Sequence, residues 1–284
     1  KEDYGIKLIN AEKITITNEA GGTIKATPAD DGAQHAVGGK LMGNCSTCVN
    51  GSTTSSGEGL TLHNYGTIDS HSRTVYGGHG GSSNTSKKTK IYNYDGGMID
   101  ATTSSAVKFQ YAEDFELYNY SGATIQAGSK YAIEAKEASN VTIDNAGTIS
   151  AVTTDTIYCV SCSDVTLTNS GNITSGGTNA VRLDSVSGTN TITNSGTISA
   201  VGSRAIRITS ATGVTITNEA GGTISSTGLI AIGADNAFSP TIKNSGTISA
   251  THTSGIGINL SQSDAENLGS GATITNSGTI EASG

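Results

Sequence analysis

Apolar and polar residues alternate with a period of two in short segments along most of the chain. Between residues 197 and 217, "TIS" puts Ile198 on one face and "AIRIT" puts Ile206 and Ile208 there, with Arg207 opposite. "VTIT" then adds Val214 and Ile216, with Thr215 and Thr217 opposite. Alternation of this kind predicts half-buried strands, and no stretch carries the 3.6-residue period of an amphipathic helix. Three strands in about 25 residues, joined by short polar turns, predict one coil of a parallel β-helix.

The trio recurs. Aligned on the asparagine that follows the third strand, ten copies fall at Asn18, Asn64, Asn93, Asn119, Asn145, Asn169, Asn194, Asn218, Asn244 and Asn276, spaced 24 to 29 residues apart between Asn64 and Asn244. Two residues separate Asn145 from Thr148 and four separate Asn218 from Thr223. A difference of two preserves the inward or outward phase of the next strand. Asparagine at such a corner is expected in the left-handed conformation, which it tolerates, and its amide can join a ladder from coil to coil. Stacking the coils puts Phe109, Ala135, Cys159, Leu183, Ile208, Ala234 and Ile258 in one inward column. The predicted fold is all-β: a right-handed parallel β-helix of about ten three-stranded coils over residues 1–284. At ~4.8 Å per coil it is a rod on the order of 45–50 Å long.

Composition narrows the function. Hydrophobic residues make up 34%, Trp is absent and Phe occurs three times, so a large aromatic-rich core is excluded. The net charge of −8 at only 14% charged residues argues against a nucleic-acid binder, which needs a concentrated basic face. No apolar run approaches the ~18 residues of a membrane-spanning helix. The abrupt start at Lys1 and the end just after a repeat are expected of a piece of a longer protein.

Repeats such as "ITNSGTISA" and "IDNAGTISA", stacked about ten deep, resemble the passenger regions of Gram-negative autotransporters of the self-associating and adhesive type. The resemblance covers nearly the whole chain and implies export through an outer-membrane barrel to the cell surface. It also implies adhesion, aggregation or biofilm formation as the role, with like chains or host glycans and proteins as partners. No protease motif of the GDSGS kind is present. Neither a cofactor nor a metal is expected.

Cys45 with Cys48 and Cys159 with Cys162 form two C-x-x-C pairs, 111 residues apart between Cys48 and Cys159. Two short-loop disulfides are the expectation, with buried free thiols and a zinc site as alternatives. That separation spans at least four coils, which speaks against a shared tetrahedral site. An oxidising compartment and a chain exported unfolded, as the resemblance implies, suit small disulfide loops.

The interval from Asn18 to Asn64 is 46 residues, and residues 38–59 read as a loop ejected from the rod. Three consecutive turns read "LHNYG", "IYNYD" and "LYNYS". His63, Tyr92 and Tyr118 then share one outward column, and Tyr65, Tyr94 and Tyr120 another, which makes these six rings the candidate ligand-binding residues. The bland alternative is that the stacked rings merely stabilise the coils.

A polysaccharide-cleaving, pectinase-like β-helix is the competing function. Asp69 and Asp100 fall in one outward column and could supply two carboxylates. "GGHGG" around His79 resembles the G-H-G of polygalacturonases, and Asp30 and Asp31 add acidic groups, but that family's other motifs have no match. Ice binding is a third class, disfavoured because the threonine columns are interrupted by tyrosines, Asp144 and Lys243. The expectation is a non-catalytic adhesin.

Overall fold

A computed structural model describes residues 3–11, 14–26, 34–41, 59–77, 86–261 and 271–283. Within them the chain is a parallel β-solenoid with three faces. Asn190–Asn194, Thr197–Ala200 and Arg204–Thr209 are the three strands of one lap, and each pairs in parallel with its counterpart one lap earlier and one lap later. Strands equivalent to Arg204–Thr209 form a first sheet, those equivalent to Asn190–Asn194 a second, and those equivalent to Thr197–Ala200 a third. Ten successive laps contribute to each, and the two-residue strand Ser86–Lys87 adds to the second sheet beside Ala112–Asn119. Among the described residues no strand pairs with its sequence neighbour, because each apolar face is closed by the laps above and below.

The inward columns are nearly uniform. In the third sheet every lap carries isoleucine, from Ile24 and Ile68 through Ile149 and Ile198 to Ile280. In the second sheet Ile16, Leu62, Ile91, Leu117, Ile143 and Leu167 begin a column that continues through Ile192 to Ile274. β-Branched side chains suit a pleated, one-side-buried surface, and in-register stacking keeps each beside a copy of itself. The first sheet is more varied. Phe109 and Phe115 meet inside the rod, ring centroids 4.6 Å apart.

Three sequence-based expectations need correction. The column from Phe109 to Ala234 holds, but Ala234 pairs with Leu260, whereas Ile258 pairs with Ile232. The last lap is shifted by two residues, a slip that preserves phase and so leaves the apolar pattern unchanged. Residues 38–41 belong to the strand Gln34–Leu41 and not to an ejected loop. Residues 42–58 lie outside the described residues.

The third correction concerns the corners. None of the ten repeat asparagines has a positive φ. The non-glycine left-handed residues lie at the passage from first to second sheet, where Tyr111, Glu137, Ser161, Ser185, Ser210 and Asn236 have φ between 50° and 56°. At the asparagine corner the left-handed residues are glycines: Gly21, Gly96, Gly122 and Gly221. The repeat asparagines instead end a strand with the side chain turned inward. Each donates Nδ2 to Oδ1 of the next, at 2.7–2.9 Å, through nine successive bonds. The same amide reaches carbonyls the turn leaves open: Asn194 Nδ2 also donates to Gly196 O and to Thr223 O, both at 3.1 Å. A buried corner carbonyl is costly without a donor, and a side-chain amide is short enough to serve it.

Candidate functional site

Parallel in-register stacking gives equivalent outward residues the same backbone and the same rotamer, one coil rise apart. Aromatic residues at such positions are forced into a pile. His63 stacks on Tyr92 at 5.0 Å and 7°, and Tyr92 on Tyr118 at 5.2 Å and 6°. In the neighbouring column Tyr65 stacks on Tyr94 at 4.2 Å and 4°, and Tyr94 on Tyr120 at 5.0 Å and 8°. The columns are tied together where His63 Nδ1 and Tyr94 Oη lie 3.0 Å apart. All six sequence-predicted rings therefore form one ladder.

Stacking closes most ring faces against one another, so the ladder presents edges and hydroxyls to solvent more than flat faces. Tyr65 and Tyr120 are the most exposed, at 36% and 41%. Tyr118 donates its hydroxyl to Glu116 Oε2 at 2.9 Å. Burial, then that hydrogen bond, pushes the Tyr118 hydroxyl up to about 12. Burial, then the hydrogen bond with Tyr65, raises Tyr94 to about 12 as well. The Tyr94 and Tyr118 hydroxyls therefore stay protonated across the ordinary pH range.

The third sheet presents a different surface. From Thr124 to Thr247 its two outward columns read Thr, Thr, Asn, Thr, Thr, Thr and Gln, Ser, Thr, Ser, Ser, Ser over six laps. No charged side chain interrupts them. Toward the other end of the same face Lys25, Asp69 and Asp100 share one column, and Lys25 Nζ lies 3.0 Å from Asp69 Oδ2. Burial chiefly raises the Asp100 carboxyl, with the Asp69 charge adding to the rise and the hydrogen bond with Gln126 opposing it. The two carboxylates are thus neighbours, as the register predicted. His79, Asp30 and Asp31 lie outside the described residues.

The cysteine expectation is corrected for one pair: Cys159 and Cys162 are both free and buried. Cys159 lies in an inward column between Ala135 and Leu183, where it packs as a small apolar side chain. Cys162 turns inward past Ser161, and its thiol donates to Ala135 O at 3.5 Å. The hydrogen bond to Cys162, reinforced by burial, pushes the Cys159 thiol well above its usual range. Cys45 and Cys48 lie outside the described residues.

Sequence reasoning missed the charged groups that flank the ladder. Lys90 and Glu116 stand two residues before Tyr92 and Tyr118, in "KIYN" and "ELYN", so the period of two places them on the same face. Lys90 Nζ lies 2.9 Å from Glu116 Oε1. It also missed a network on the first sheet, where Arg182 Nη2 meets Asp184 at 2.5 Å and Arg182 lies over the Tyr158 ring at 4.9 Å. Its signal was the outward position of these residues in successive strands. No family model, curated protein or solved structure matches this chain.

Proposed function

We propose that the chain is a non-catalytic adhesive rod that associates laterally with copies of itself, carried outside a Gram-negative cell and tethered there to an outer-membrane barrel. The observation that supports this is the uncharged hydroxyl and amide face of six laps on the third sheet. Bringing two such faces together desolvates no charge, which removes the largest cost of a polar interface. Both partners repeat at the same coil rise, so one correct contact sets the rest in register. Many weak hydrogen bonds then act as a multivalent whole.

Replacing Ser199 and Ser225, outward neighbours in adjacent laps, by lysine puts like charges at the centre of the face. Aggregation of cells displaying the double variant is expected to fall to background while the purified rod melts as the parent does. Undiminished aggregation would reject the lateral reading. A second reading, cleavage of a polysaccharide, is favoured by the pairing of Asp100, whose carboxyl is raised, with the ion-paired Asp69. Reducing-end release from a polymer panel that is lost in Asp69→Asn and Asp100→Asn would establish it in place of the adhesin.

A further inference from the structure

We propose that a groove on the second sheet, alongside the aromatic ladder, binds a linear neutral glycan running parallel to the rod. The groove encloses ≈ 610 Å³. Its floor is one outward column, Thr15, Thr61, Lys90, Glu116 and Thr142, which follow one another lap by lap in strict register. One rim is formed by Lys88, Asp114 and Asn140, each at positive φ (49°, 57° and 51°). Asn140 Nδ2 donates to Asp114 Oδ1 at 2.9 Å and braces that rim. Two residues further along the floor strands stand His63, Tyr92 and Tyr118, and the Tyr118 hydroxyl reaches back to the floor at Glu116.

Three features select the occupant. First, the lining charges cancel: Lys88 and Lys90 face Asp114 and Glu116, and the Lys90–Glu116 pair is closed at 2.9 Å. Such a groove has no net field with which to hold a polyanion, which sets nucleic acids and sulfated glycans aside. Second, four of the five floor strands, from Leu60–Asn64 to Ser139–Asn145, are hydrogen-bonded on both sides, so along them an extended peptide finds no open edge to join. Third, polar groups recur along the axis once per ~4.8 Å lap, close to the advance of one ring in an extended glycan. Successive sugars then meet equivalent donors and acceptors: threonine hydroxyls, the Lys90 ammonium, the Glu116 carboxylate and the tyrosine hydroxyl edges.

Glu116 is already oriented. Lys90 and Tyr118 both donate to its Oε2, at 3.0 and 2.9 Å. A polar group held in place before the ligand arrives costs little further ordering, which favours affinity. The site lies on a different sheet from the self-association face and does not depend on it.

Titration of the whole chain with neutral β-linked oligosaccharides about five rings long, one ring per floor lap, tests this by calorimetry. Saturable binding is expected. It should weaken about tenfold in Glu116→Gln and in Thr61→Trp, which fills the floor, and stay unchanged in Thr217→Ala, on the same sheet beyond the groove. Melting curves of each variant establish that the rod is intact. The inference is overturned if no neutral glycan binds, if Thr61→Trp binds as the parent does, or if sulfated glycans or peptides bind in preference. Aggregation measured with the Ser199 and Ser225 lysine variant fails or succeeds separately, so the two proposals are distinguishable.

Discussion

At the scale of single residues, the repeat asparagine is the position the rod can least spare. Asn169 accepts from Asn145 and donates to Asn194, Gly171 O and Thr197 O. Replacing it by alanine leaves a buried amide without its acceptor and several buried oxygens without a donor. Each such group costs ~1–3 kcal/mol, so Asn169→Ala should lower the unfolding free energy by about 3–5 kcal/mol in urea titrations. Asn276, at the exposed last lap, should lose under about 1 kcal/mol on the same change. Equal losses at the two sites would show that the ladder is not a buried network. The tyrosines make a pH prediction. The folded rod holds the Tyr94 and Tyr118 protons more tightly than an unfolded chain, whose tyrosines titrate near ~10. Their contribution to stability is therefore full below that pH and is lost as pH rises toward the folded value of about 12. The melting temperature should fall across this window, and less steeply in a Tyr94→Phe, Tyr118→Phe double variant.

At the scale of the element, the turn between second and third sheets decides how closely laps approach. A Cβ added at Gly171 would lie 2.1 Å from Gly147 O, and one at Gly196 would lie 2.2 Å from Gly171 O. The obstacle is backbone of the adjoining lap, not a side chain that can swing aside. Gly171→Ala should destabilise the rod by at least about 1–3 kcal/mol, read from chemical unfolding. Its asparagine neighbours explain why the motif is written Asn-x-Gly: the amide serves the turn carbonyls, and the glycine lets the next lap sit against them. The opposite corner works differently, because two left-handed residues three apart make the bend there, as Tyr111 with Asp114, Glu137 with Asn140 and Ser161 with Asp164, and unlike residue types are forced into it.

At the scale of the whole molecule, stability is carried between neighbouring laps, and the three faces are free to differ. The first sheet carries arginine–carboxylate pairs, the second carries the aromatic ladder and its groove, and the third carries the uncharged face. Nearest-neighbour coupling predicts that a lesion such as Asn169→Ala is felt most in its own and adjoining laps. Amide hydrogen exchange should show protection lost around residues 145–194 before it is lost near Asn64. Uniform loss along the rod would indicate a single cooperative unit.

The sequence by itself determined the strand trio, the lap length, the inward and outward phase and the alignment of the six rings. All of these follow from periodicities of two and about 25, which any chain burying one face of stacked strands has to obey. It could not determine the last-lap shift of two, since Ile258 and Leu260 are both apolar and either satisfies the pattern. Nor did it reveal that the asparagine turns inward while other residues take the left-handed bend, because side-chain direction at a corner depends on which carbonyls the adjoining lap leaves open. Tertiary structure alone left Cys159 and Cys162 as packed thiols, closed the ring faces against one another and joined Lys88, Asp114 and Asn140 to the column of Lys90 and Glu116. Those outcomes are set by contacts between laps, where residues about 25 positions apart become nearest neighbours.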